Sequence, residues 1–181
     1  MISLNDARND EFEETSSCSP IICPIHHFSG CEWKGASESI MQHCISKHGK
    51  FVRKGYRQKY EIKNFRSLNV VKDFPHIIEA HGNVFILWLR KFPSGIISLR
   101  VHSMKCCMDP ARYEAIITFN AEVSIQRKLF CYPYCYYEMG FDRLDNTKVL
   151  LNTDDFIEDV NILNYNVCIK DNSLTSWLSM I

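Results

Sequence analysis

The feature that most constrains this chain is a set of four side chains near its N-terminus: Cys23, Cys31, His43 and His48. Two thiols and two imidazoles are the donors of a closed, tetrahedral structural zinc site, which leaves no open position for catalysis. The residues between them suit such a site. Seven residues separate Cys23 from Cys31, a hairpin-sized loop, and Gly30 offers the left-handed backbone that would turn the chain back before the second thiol. From Ala36 to Lys47 there is no proline or glycine. Ser37 or Ser39 can cap, and Ile40, Met41, Cys44 and Ile45 make an apolar stripe, so the pattern predicts a short helix. His43 lies on that helix with His48 about 140° further round, so both reach one ion only where the last turn loosens. Gly49 is the expected stop. His26 and His27 fall in the loop, as rival ligands.

A segment this small cannot bury enough apolar surface to fold alone, and one zinc ion per chain would supply what its core lacks. The alternative is a metal-free remnant, in which the cysteines are small buried hydrophobes and the histidines ordinary polar groups. Cys131 and Cys135 could be half of a second metal site, but no Cys/His pair follows them. With Cys106, Cys107 and Cys168 they read as core or surface thiols.

The spacing also carries a resemblance. Cys31, Trp33 and Gly35, followed by His43 and His48, resemble the second zinc finger of the seven-in-absentia (SIAH) family of ubiquitin ligases, which reads Cys, Cys, x11, His, x4, His. The first gap is one residue longer here, which makes Cys23 the ligand furthest from the pattern. The resemblance implies a substrate-binding, TRAF-like β-sandwich after the finger, homodimerisation through it, and a RING domain with another finger before it. Residues 1–18 hold one cysteine, Cys18, and no histidine, so no RING is expected within this stretch.

With 181 residues and a formal net charge of +0, the chain suits one sizeable core plus a small satellite and does not call for nucleic acid or a membrane surface. The apolar run 84–89 is far too short to span a bilayer. The N-terminus is acidic and polar rather than a signal peptide. The expectation is a soluble protein of the cytoplasm, with the nucleus as a second compartment. Without a secretory signal, nine cysteines point to metal and buried thiols rather than disulfides.

Four units follow. Residues 1–17 are polar and expected to be disordered, 18–50 form the finger, 51–170 the sandwich, and 171–181 a tail whose Leu174, Trp177, Leu178 and Met180 could pack on it. A basic run over 47–66 reads as a linker and a solvated face. Beyond it the hydrophobic period becomes two: Ile97, Leu99 and Val101 alternate with Ser98, Arg100 and His102; Tyr113, Ala115, Ile117 and Phe119 with Glu114, Thr118 and Asn120; and Leu163, Tyr165, Val167 and Ile169 with Asn164 and Asn166. Residues 84–89 are apolar on both sides, as in a central strand after a Gly82-Asn83 turn. Residues 92–95 read as a hairpin turn. Further strands are expected at 60–65, 76–79, 124–131 and 148–152, and a short helix or capped turn at 154–160. The fold class is mainly β, a small Cys2His2 finger with hairpin and helix followed by an eight-stranded antiparallel sandwich.

Three classes of function compete. A sandwich edge can take an extended peptide as a further strand. The family resemblance implies this mode, with protein substrates or degron peptides as ligands, a RING-containing relative or a second copy as partner, and an adaptor or regulator role in ubiquitination and proteasomal degradation. The region 60–101 is the expected capture site, and Phe74 falls where the family has an aromatic beside its groove, although a core position explains it equally well. The alternative is that the stretch belongs to an active RING ligase. No catalytic or cofactor-binding residue stands out, since no Gly-x-Ser-x-Gly signature occurs. DNA reading is disfavoured by the long first gap, the single finger and the neutral charge.

Overall fold

The alternating stretches do pair into sheets, and their side-chain periodicity decides which faces meet. The computed structural model describes residues 20–105, 109–119, 125–133, 148–152 and 162–174. The expected disorder over 1–17, the helix or turn at 154–160, Cys18, Cys106, Cys107, Cys135 and most of the tail lie outside these residues.

The order is β1 (Ile21–Ile22), α1 (His26–Ser29), β2 (Lys34–Gly35), α2 (Ile40–His48), β3 (Val52–Lys54), β4 (Arg57–Lys63), β5 (Lys72–Ala80), β6 (Asn83–Lys91), β7 (Ile96–Ser103), β8 (Tyr113–Phe119), β9 (Ile125–Phe130), β10 (Tyr132–Pro133), β11 (Lys148–Asn152) and β12 (Ile162–Asp171). The chain is mainly β, in three sheets. A two-stranded ribbon joins β1 to β2. A six-stranded sheet runs β10-β7-β6-β5-β3, with β11 also paired to β7, and a four-stranded sheet runs β4-β12-β8-β9. Pairing is antiparallel except at two short edge strands, where β3 lies parallel to β5 and β10 parallel to β7. That departs from the all-antiparallel expectation, and two or three residues suffice for each exception.

The two larger sheets face each other across one core. Phe85, Leu87, Leu89 and Leu99 from one meet Ile117, Phe119, Tyr165 and Val167 from the other. Phe65, fully buried, plugs the end after β4. Part of the opposite face of the six-stranded sheet is also buried. There Ile77, Val84, Ile86 and Met104 pack against Ile21, Cys23, Ile25, Ile40 and Cys44 of the N-terminal lobe, residues 20–51. This is why residues 84–89 lack alternation: odd residues serve the shared core and even ones the lobe.

The hairpins correct one detail. The β5–β6 turn is His81-Gly82, with φ of 52° and 67°, flanked by the pair Ala80 and Asn83. It sits one residue earlier than expected, since two left-handed residues fit the twist of a two-residue hairpin. Asn83 belongs to the strand, where its side chain donates to Ser103 Oγ at 2.6 Å. The β6–β7 turn spans 92–95 as expected, with Gly95 at φ 81° and the Phe92 N–H donating to Ile96 O at 2.8 Å. The basic linker is also corrected. Residues 52–54 and 57–63 are strands, and Arg57, Lys59 and Lys63 are charged because they occupy the outward positions of β4.

Candidate metal centre and the neighbouring cleft

Local structure brings the four sequence-selected ligands together. The β1–β2 ribbon closes with the Cys23 N–H donating to Trp33 O at 2.9 Å, which fixes Cys23 at its mouth. The loop beyond coils into α1 and ends at Gly30, left-handed at φ 66°, before returning as Cys31. The His26 ring Nδ1 lies 2.8 Å from the Cys31 carbonyl, so this rival ligand braces the loop instead of joining the cluster. On the other side, a 3-10 turn at Ser37–Ser39 leads into α2. Neither Ser37 nor Ser39 caps it with a side-chain hydrogen bond. Ile40 and Cys44 face the lobe's core, whereas Ile45 is exposed, so the buried stripe is narrower than expected.

The end of α2 places the last ligand. As the C-terminal boundary residue, His48 leaves helical geometry at φ −131°, ψ 25°, and the Gly49 expected to stop the helix stays right-handed at φ −50°. The loosening of the last turn therefore falls on His48 itself. This rotates its ring toward His43, at 5.0 Å between centroids and near perpendicular.

The ligand atoms of Cys23, Cys31, His43 and His48 all lie within 4.8 Å of one another. Cys23 Sγ is 3.4 Å from His48 Nε2, and Cys31 Sγ is 3.5 Å from His43 Nε2. Four donors this close can hold a metal ion. Their protonation fits that role. Burial lowers the pKa of His43 and of His48, helped by neighbouring His48 and Lys47 in the first case and Lys50 in the second, so both present neutral nitrogens. Burial pushes the Cys23 thiol up to about 12, and the nearby Cys31 contributes. A thiolate there requires a positive charge at the centre, and ion binding would release protons. Cys44, also raised to about 12 by burial, is a core thiol.

Trp33 supports the centre. Its indole stacks on the His43 ring at 4.4 Å and 9°, which holds that imidazole from behind. Gly35 is required by this arrangement, because a Cβ there would come within 2.5 Å of Trp33 Cζ2.

Beside the lobe, a cleft of about 340 Å³ opens where the edges of both large sheets meet it. Phe28 and Phe51, in edge-on contact at 5.9 Å, form the lobe side. Tyr60 of β4 and Phe74 and His76 of β5 form the sheet side. Deeper in, the Tyr165 hydroxyl lies 2.6 Å from His76 Nε2, and the Tyr60 ring lies 4.0 Å from that imidazole. Burial brings the His76 pKa down to about 4, with Arg53 adding to the effect, so the imidazole is neutral.

The first half of β5 is unpaired on one side. β3 pairs only with Ile77, Ile78 and Glu79, so among the described residues no strand lies on that side of Lys72–His76. The Gly55 N–H donates to Glu79 O at 2.8 Å, which marks Glu79 as edge-facing. Since successive residues point their N–H and C=O to alternate sides, Asp73 and Pro75 point to that same edge, Asp73 half-buried and Pro75 buried. Pro75 therefore costs the β5–β6 ladder nothing, in keeping with the confinement of proline to edges. The site residues read from sequence lie in the metal cluster. The cleft was foreshadowed only by the region 60–101 and by Phe74, although a proline inside a strand pattern is an edge signal.

Fold and site together define a mainly β protein with a Cys2His2 cluster capable of holding a metal ion. No family model matches the chain and no curated protein matches it. Among the described residues no helix is long and apolar enough to cross a membrane.

Proposed function

We propose that the chain is a zinc-bound protein-interaction module that captures extended peptide segments, in the manner of the substrate-binding part of seven-in-absentia ubiquitin ligases. Zinc is favoured by the donor set, two thiols and two imidazoles without a carboxylate, which suits tetrahedral zinc better than hard cations. Zinc–ligand bonds of about 2.3 Å to sulfur and 2.0–2.1 Å to nitrogen put adjacent S and N atoms of a tetrahedron about 3.5 Å apart. The two S–N separations of 3.4 and 3.5 Å agree with that figure. Cys23, the ligand furthest from the family pattern, joins the others. The zinc would be structural, holding the lobe against the six-stranded sheet.

The observation that carries the interaction reading is the open edge of β5 beside the metal lobe. Unpaired edge groups give an extended ligand main-chain hydrogen bonds, and the aromatic cleft takes a side chain. In this reading the sheets are a TRAF-like sandwich, the ligand is a degron-type segment of a protein substrate, and residues 1–181 act as adaptor or regulator in ubiquitination. A second copy or a RING-bearing relative would be the assembly partner. Binding is expected in the micromolar range, about −8 kcal/mol. Hydrogen exchange on zinc-loaded protein tests it: a family-type degron peptide is expected to slow the Asp73 amide, and the reading fails if no amide within 60–101 is protected.

A further inference from the structure

We infer that the cleft selects an acidic segment, an apolar side chain flanked by carboxylates, laid antiparallel or parallel along Asp73–Pro75. This rests on the peptide-capture reading and adds the chemistry of the ligand.

Lys50, Arg53, Lys59 and Lys72 line the cleft, and among the described residues none of the four has an acidic partner. The two acids in the lining are already matched. Asp73 is held by Arg90 through two contacts, at 2.6 and 3.0 Å, and Glu61 pairs with Lys63 at 3.6 Å. Neither Arg90 nor Lys63 lines the cleft, so their charge is spent at its margin while the four cations remain around its mouth. These cations come from four elements, the turn after α2 and the strands β3, β4 and β5. They converge on the cleft from separate elements rather than from one strand face. Between them lie Phe51, Tyr60 and Phe74, and the volume, near the lower end of ligand pockets at about 300–1,000 Å³, fits one or two side chains.

A basic ring around an apolar pocket also suits a single-stranded nucleic acid, whose bases stack on aromatics. The open edge favours peptide. Asp73, half-buried on the strand edge, has its N–H and C=O in strand geometry that a peptide backbone matches and a sugar-phosphate backbone does not.

The test uses the full zinc-loaded chain and fluorescence anisotropy with three labelled probes. These are the peptide Ser-Glu-Val-Asp-Leu-Thr-Glu-Ser, the same peptide with every acid replaced by glutamine, and a ten-residue oligothymidylate. The acidic peptide is expected to bind at least tenfold tighter than its glutamine counterpart, and to weaken as salt rises, because the cations are exposed. The double change Arg53→Glu with Lys72→Glu, at exposed positions, is expected to erase that preference. Lys59→Gln alone, a milder exposed change, should reduce it several-fold with an unchanged melting temperature. Equal binding of both peptides overturns the acidic selectivity but leaves peptide capture standing. No binding of either, with no protection at Asp73, overturns both. Tighter binding of the oligothymidylate overturns the peptide assignment in favour of nucleic acid.

Discussion

Removing the metal should strip a layer from the protein without dissolving its centre. The perturbation is Cys31→Ser with His43→Ala, which takes one donor from each half of the cluster, the facing pair at 3.5 Å. A metal site of this kind contributes roughly 10–16 kcal/mol in small zinc domains, and the lobe has little else, since its own buried residues are chiefly Ile21, Ile25, Ile40 and the cysteines. Without the ion the lobe is expected to unfold and to uncover Ile77, Val84, Ile86 and Met104. At roughly 1.5–3 kcal/mol per buried side chain, those four represent roughly 6–12 kcal/mol of burial, an upper bound because a loosened chain still covers part of the face. The core between the large sheets uses the other side of β6 and should persist. Methyl NMR with a soluble paramagnetic agent checks this: the Ile77 and Ile86 methyls should become accessible, those of Leu87 and Leu99 should stay shielded, and the Arg53 and Lys54 amides should exchange faster. The reasoning is refuted if the Ile77 and Ile86 methyls stay shielded and melting is unchanged in the metal-free variant.

Two further outcomes follow from single positions. Gly35→Ala would drive a Cβ to 2.5 Å from the Trp33 indole and push it off His43. A loss of about 1–3 kcal/mol is expected from this overpacking, read as faster zinc release to a chelator, whereas unchanged release would show that the stacking does not support the ligand. His102, 3% exposed, has its pKa brought down to about 4 by burial, with Arg100 adding to the effect. It is neutral when folded, while the unfolded chain takes up a proton below about 6.5, so stability is lost as pH falls from about 6.5 toward 4. The loss reaches roughly 3 kcal/mol, and the partly exposed His76 adds less. Urea unfolding should show it, and His102→Gln should flatten the slope by about 1.4 kcal/mol per pH unit. An unaltered slope would remove His102 as the cause.

The parts of the fold legible in the sequence were those governed by a local period or by ligand chemistry. The strand Ile162–Asp171 buries alternate side chains, and alternation can be read one residue at a time. The four metal-cluster residues were legible because few other arrangements need two thiols and two imidazoles at those separations. What stayed hidden depends on long-range placement. Residues 84–89 announced burial on both faces without saying that a metal lobe, rather than a helix or third sheet, covers one of them. The basic residues of 52–59 looked like a linker because outward strand positions and solvated linkers share a composition. The parallel pairing of β3 with β5 left no trace, since three residues carry no period.

That short strand ties the metal centre to the cleft. Only Gly49 stands between the ligand His48 and the cleft residue Lys50, and the 3-10 turn Gly49–Phe51 delivers the chain into β3. The direction in which the chain leaves His48 therefore sets where β3 begins along β5. Because it begins at Val52 opposite Ile77, no strand among the described residues pairs with the Asp73 edge, and Lys50, Phe51 and Arg53 are carried to the cleft. A β3 longer by one turn of chain toward its N-terminus would have closed the same edge. The ion at the four donors would thus do more than hold the lobe together, because it fixes the starting point that decides how much of β5 remains available to a ligand.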